Sequence, residues 1–176
     1  MIMEQLILVD SNDKEIGHDS RENCHYVKPK LHRAFSVFLF NDNGEMLITK
    51  RSRLKKTWPL HWSNACCSHP KMGEDCEAAA TRRIKEELDI SVPLKFLFKF
   101  EYKAQYDKEW GEHEMDWVFV GKHDESINSN KDEIDNWKFV GVEELRKDMQ
   151  KNPQNYTPWF KIVAERVIEY VENNGL

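Results

Sequence analysis

No run of apolar residues in this sequence is long enough to span a bilayer. The first ten residues, MIMEQLILVD, lack the basic n-region and the long apolar h-region of a secretory leader. Both absences point to a cytoplasmic location. Net positive charge is missing too: 26 Lys and Arg stand against 31 Asp and Glu, a formal charge of -5. Non-specific binding to nucleic acid or to an anionic membrane needs the opposite sign. Small molecules are therefore the expected partners, with no nucleic acid and no membrane among them. Cysteine is scarce, and in a reducing cytoplasm Cys24, Cys66, Cys67 and Cys76 are expected as free thiols, ligands or reactive groups, not as bridges. With 7 Gly and 6 Pro, and with no repeat, low-complexity tract or linker, nothing marks an internal boundary. Residues 1–176 are expected to form one domain around one core.

What is present alternates between strand and helix signals. LILVD reads as a first strand, RAFSVFLF as a second, and NDNGE as a turn into MLITKR, its hairpin partner. From Arg53 to Pro70 the pattern gives way to a basic, Trp-rich loop. Residues 75–88 then read as a helix, with Ala80, Ile84 and Leu88 four apart. LKFLFKFEYKAQY, EMDWVFVG and DNWKFVG are rich in β-branched and aromatic residues, and VEELRKDMQKN looks helical up to Pro153. The last segment puts Phe160, Val163, Ala164, Val167, Ile168 and Val171 on one helical face, with Pro158 near its start and Gly175 after its end. Strands separated by helices predict an α+β or α/β sandwich of mixed sheet and helices.

The groups able to bind a borderline metal are His25, His32, Cys66, Cys67 and His69 in the first half, with Glu112 and Glu114 in GEHEMDW. On a strand Glu112, Glu114 and Asp116 share one face. A wet edge strand would tolerate three such acids. The apolar Trp117, Val118 and Phe119 that follow argue instead that the strand enters a core, where carboxylates need a cation or donors to offset lost hydration. CCSH has no second knuckle to close a tetrahedral zinc site. Imidazoles with carboxylates suit zinc, manganese or iron with a higher coordination number. His18 and His61 read as ordinary surface residues. Arg51, Lys55 and Lys56, with Arg82 and Arg83, are candidate donors to a polyanion, and Glu74, Glu86 and Glu87 on the helix could hold magnesium on a diphosphate.

These residues resemble a known family, the type I isopentenyl-diphosphate isomerases, which share the Nudix fold. The stretch from Gly73 to Ile90 is similar to a Nudix box. Ser68 stands at its first glycine, Glu74, Arg82, Ile84, Glu86, Glu87 and Ile90 fit, and Asp89 stands at its last glycine. Arg83 replaces the first glutamate of the Arg-Glu pair, which Nudix hydrolases use in their metal cluster. Around the box lie LHRAFSVFLF, LITKRS, KKTWPLHWSNACCSHP and EHEMDW, in the order the isomerases carry them.

The resemblance implies a Nudix-like fold and the interconversion of isopentenyl and dimethylallyl diphosphate, an allylic proton transposition through a tertiary carbocation that feeds isoprenoid biosynthesis. It implies His25, His32, His69, Glu112 and Glu114 as ligands of zinc or manganese, and Glu87 as a magnesium contact. Arg51, Lys55 and Arg83 would bind the diphosphate, with Arg21 standing where a lysine is expected. Cys67 and Glu114 would be the acid and base, Cys67 with a lowered pKa, Glu114 hydrogen-bonded to Tyr102, and Trp159 the aromatic wall beside the cation. Cys66 is left as a small apolar neighbour. Such a chain can work as a monomer. The alternatives from other chemistry are a Nudix hydrolase of a nucleoside diphosphate derivative and a metal-stabilised binding module.

Overall fold

The computed structural model describes residues 4–176. Nine strands form one mixed sheet: β1 Gln5–Val9, β2 Glu15–Ser20, β3 His32–Phe40, β4 Met46–Arg51, β5 Trp62–Ser63, β6 Cys66–Ser68, β7 Lys95–Gln105, β8 Gly111–Lys122 and β9 Ile134–Val140. The helices are α1 Arg21–His25, α2 Cys76–Leu88, α3 Val142–Lys151 and α4 Pro158–Asn174, with a short 3-10 turn at Pro153–Asn155. The expected sandwich is present, with α2 on one sheet face and α4 on the other. No helix among the described residues is long and apolar enough to cross a membrane.

The organising strand is β3. One edge pairs in parallel with β8 along its whole length, from His32 opposite Glu114 to Phe40 opposite Lys122. The other edge is shared: Leu8 of β1 meets His32, β6 meets Phe35 to Val37, and only Leu39 and Phe40 meet β4. The hairpin expected from RAFSVFLF and MLITKR thus closes for two residue pairs and then opens. The Trp-rich segment fills the gap as β5 and β6, which was expected to be loop. The strand and helix between β1 and β3 were also unexpected. EIGHDS lacks apolar alternation, and α1 is too short for a helical period to show. β8 lies between β7 and β3, so it is an interior strand and not the wet edge that three acids would tolerate.

Alternation along the strands builds two unlike faces. Phe35, Val37, Leu39 and Phe119 pack with Ile84 and Leu88 of α2. Phe38, Phe40, Val118 and Val120 pack with Phe160, Val163 and Val167 of α4. This second face changes character along its length. Towards the start of β3 and β8 it carries His32, Ser36, Glu112, Glu114 and Asp116, all buried.

Helix α2 starts at an Asp75 N-cap, whose side chain accepts the Ala78 N–H, and ends at Asp89, in the left-handed region at φ 60°. That is the position at which the Nudix pattern places glycine, and Asp is one of the few residues that tolerate the conformation. Glu74, expected on the helix, stands before it, bound by Arg82 at 2.7 and 2.8 Å.

Another buried carboxylate, Asp13, fastens the β1–β2 turn to the sheet. It accepts from Arg33 Nε at 2.8 Å, and from Lys99 Nζ and Trp117 Nε1 at 2.9 Å each. Asp13→Ala would leave Arg33 Nε and the indole N–H without their partner, a loss expected on the order of 3 kcal/mol in chemical denaturation. A change below the error of the measurement would show that the turn is held by its backbone alone.

Candidate active site and metal centre

Helix α1 carries Arg21 and His25 one turn apart, β3 begins with His32, and the residue after β6 is His69. Their rings converge, with centroids 4.7, 4.9 and 5.2 Å apart. Glu112 and Glu114 arrive from β8, and one potential ligand atom from each of the five residues lies within 4.8 Å of the others. All five side chains are buried.

The hydrogen bonds around the rings turn them inward. His25 Nδ1 lies 2.6 Å from Arg21 O and His32 Nδ1 lies 2.7 Å from Lys30 O. A carbonyl only accepts, so each Nδ1 donates, and in the neutral ring each Nε2 turns a lone pair to the centre. His25 Nε2 and Glu112 Oε2 approach to 2.8 Å without hydrogen-bond geometry, and His32 Nε2 and Glu112 Oε2 are buried with no hydrogen-bond partner. His69 Nε2 lies 3.0 Å from Glu114 Oε1.

Protons compensate this crowding only in part. Burial opposes charge on His25, yet Glu112 outweighs it and lifts the ring above the usual histidine value. Burial drives His69 well below that value. A divalent cation would meet all five donors at once, and nitrogen with carboxylate oxygen is the donor set of such an ion. The cluster fits a metal centre.

Glu114 and Asp116 divide the roles of a carboxylate pair. Burial raises both, but the imidazoles of His32 and His69 overcome it at Glu114 and hold that carboxyl well below its usual range. Asp116 has no such imidazole partners. Burial, then the Glu114 charge, raises it far above the usual value, and Ser36 Oγ donates to it at 2.7 Å. Tyr102 lies opposite Glu114 across the β7–β8 ladder and donates to its Oε2 at 2.6 Å.

Cys67 sits on β6 opposite Ser36. Its S–H donates to Asn64 Oδ1 at 2.9 Å, and Trp159 Nε1–H donates to Sγ at 3.0 Å. Asn64 is fixed in turn, because its amide donates to Val37 O and Cys66 O at 3.1 and 2.8 Å. The expectation of a lowered thiol pKa rests on metal-bound histidines; the chain's own groups push the other way. Burial, then the Asp116 charge, pushes Cys67 up to about 12, and the protein's own hydroxyl and guanidinium groups do not reverse it. Cys66 points to the opposite sheet face, fully buried against α2. All four cysteines are free.

A cavity of about 460 Å³ collects Cys67, Glu114, Tyr102 and Trp159 with Arg21, Arg51, Lys55, Lys56, Glu133 and the outer metal-cluster residues. Arg51 lies over the Trp159 ring at 5.2 Å and donates to Thr57 O and Trp58 O. His32 stands behind the cavity wall. Glu87 opens instead on a polar void of about 10 Å³ shared with Arg51, Lys55, Asn64, Cys67 and Glu133. Arg83 lines neither space; it reaches the site through Glu87 and Glu133. Arg82 lines neither space; it pairs with Glu86, which also accepts from Arg83 Nη1 at 2.7 Å. Sequence reasoning missed Asn64, Ser63, Ser36 and Glu133, since a polar residue in a loop or strand carries no signal until its partners are known.

The NUDIX domain family matches residues 30–160. The chain is 38% identical over 172 residues to isopentenyl-diphosphate Delta-isomerase 2 of Aromatoleum aromaticum, covering 98% of this chain and 90% of that protein. It is 39% identical over 187 residues to isopentenyl-diphosphate Delta-isomerase 1 of Mus musculus, covering 94% and 82%. In structure it is similar to DR0079 from Deinococcus radiodurans, with a TM-score of 0.74 at 20% identity, covering 92% of this chain and 98% of that one. It is also similar to a MutT protein from Methanosarcina mazei Go1, at 0.66 and 17%, covering 82% and 96%. These two structural likenesses carry the fold alone.

Metal removal gives a direct check. A ligand at 100 times its Kd stabilises by about 2.7 kcal/mol, and a chain of this size gains roughly 2–4 °C in Tm per kcal/mol. Chelation should therefore lower Tm by about 5–10 °C, zinc or manganese should restore it, and His32→Ala should abolish the response. A wild-type Tm indifferent to chelation would count against a metal centre.

Proposed function

We propose how the work is divided among these residues, given that the chain belongs to the NUDIX family and, within it, to the type I isopentenyl-diphosphate isomerases. It interconverts isopentenyl and dimethylallyl diphosphate in isoprenoid biosynthesis. One observation carries the proposal: Cys67, Glu114 and Trp159 line the same cavity as Arg51 and Lys55, so proton-transfer candidates and anion-binding candidates share one space.

The reaction protonates an unactivated alkene and removes a different proton from the resulting tertiary cation. It requires an acid and a base on either side of a flat hydrocarbon, with little water present. We assign these roles to Cys67 and Glu114. Asn64 and the Trp159 N–H orient the thiol, and Tyr102 orients Glu114 through its 2.6 Å hydrogen bond. The indole of Trp159, 3% exposed, offers its face to the cationic carbon, an interaction of about 2 kcal/mol when desolvated.

Arg51, Lys55 and Arg83 are assigned to the diphosphate, with Arg21 at the cavity mouth, and Glu87 to magnesium carried with it. The buried carboxylate of Glu87, facing a polar void beside these cations, fits that ion. Zinc or manganese is assigned to His25, His32, His69, Glu112 and Glu114. When bound, these metals supply positive charge that holds Glu114 in place and neutralises the diphosphate. Arg83 puts a cation where a Nudix hydrolase needs a carboxylate, which supports anion binding at this position. A monomer is assigned as the working unit, with residues 1–176 acting as one domain. The free thiols support a cytoplasmic location.

Incubation with isopentenyl diphosphate and magnesium in deuterated water should yield dimethylallyl diphosphate with deuterium in its carbon skeleton; released phosphate would indicate hydrolysis instead. Cys67→Ala should lower kcat by at least about 10²–10⁴-fold, the usual worth of a general acid or base, while Cys66→Ala keeps most turnover. Equal residual activity in the two variants would sink the assignment of the thiol.

A further inference from the structure

Glu133 stands immediately before β9, where the β4–β9 register shifts between Lys50 and Arg51. Such an irregularity re-aims side chains next to a site. The Glu133 carbonyl accepts the Ser52 N–H at 3.0 Å, and its own N–H donates to Asn130 O at 3.1 Å. With the backbone pinned on both sides, the side chain projects to the boundary of the main cavity and the small polar void.

Both carboxylate oxygens are taken by cations. Oε2 pairs with Lys55 Nζ, and Oε1 accepts from Arg83 Nη2 at 3.0 Å. The same Arg83 nitrogen donates to Glu87 Oε1 at 2.5 Å. Arg51 differs: it donates to backbone carbonyls, and no carboxylate pairs with it among the described residues. These contacts hold the Glu133 carboxyl down at about 2 against the opposing effect of burial, so it is charged at any working pH.

Two of the three cations assigned to the diphosphate are therefore already paired within the chain. We infer that Glu133 is a specificity-determining residue, an internal competitor for Lys55 and Arg83 that makes diphosphate binding depend on a divalent cation. A diphosphate approaching alone meets the negative charges of Glu133 and Glu87, and like charges brought together oppose binding. A diphosphate that brings magnesium does not, because that ion is ordinarily held by one or two carboxylates together with phosphate oxygens. The residue thus selects the magnesium complex over the bare anion.

The inference rests on the reading of Lys55 and Arg83 as diphosphate ligands, and inorganic pyrophosphate is the probe that separates the two. Its binding is measured by calorimetry to the wild type and to Glu133→Gln, each with and without millimolar magnesium. The amide keeps the shape and loses the charge. Without magnesium, Glu133→Gln should bind pyrophosphate about tenfold more tightly than wild type, the effect of removing about 1.4 kcal/mol of competition, and magnesium should strengthen its binding less than it does for wild type. Binding by wild type in magnesium, with no gain in the variant without it, would overturn the inference and leave the diphosphate reading standing. Absence of wild-type binding in either buffer would overturn both.

Discussion

The parallel register of β3 against β8 is the constraint on which the site depends. It sets His32 opposite Glu114 in the interior of the sheet, on a face that further along is filled by Phe38, Phe160 and Val163. Carboxylates so placed cannot be left to water, and the chain brings three imidazoles to them from α1, β3 and the end of β6. The β7–β8 ladder on the other edge of β8 puts Glu114 opposite Tyr102. A carboxylate that belongs to the metal cluster is thereby also held at the wall of the substrate cavity. In the proposed assignment, metal binding and proton transfer share one side chain.

The opening of the β3–β4 hairpin has an equally specific result. Three residues of β6 fit into the gap, and strand alternation sends neighbouring cysteines to opposite faces. Cys66 joins the apolar layer under α2, while Cys67 meets Ser36, Asn64 and Trp159. His69, two residues on, returns to the Cys67 side as a metal-cluster residue. Cys67 and the metal-cluster residue His69 are adjacent because β6 and the residue that follows it carry them.

Much of this was legible in the sequence where periodicity and chemistry agreed. Helix α2 was bounded by Asp75 and Leu88, α4 by Pro158 and Gly175, and the shared face of Glu112, Glu114 and Asp116 followed from the two-residue period. What was not legible depended on partners distant along the chain. EIGHDS became a strand by pairing with β1, and the Trp-rich loop became β5 and β6 by filling a gap that its own composition does not announce. Glu74 fits the Nudix pattern yet stands ahead of the helix, and Arg83 reaches the cavity only through two carboxylates. The elevated Cys67 thiol reflects burial, which no local motif encodes.

The central claim is that the CCSH segment divides its labour, with His69 on the metal and Cys67 left free for the substrate. X-ray absorption at the metal edge tests it directly on zinc-loaded protein. The account predicts a single divalent ion with nitrogen and oxygen ligands near 2.0–2.2 Å, typical of imidazole and carboxylate, and no sulfur shell. A shell near 2.3 Å, the zinc–sulfur distance, would contradict it, because a cysteine would then be a ligand and not an acid or base.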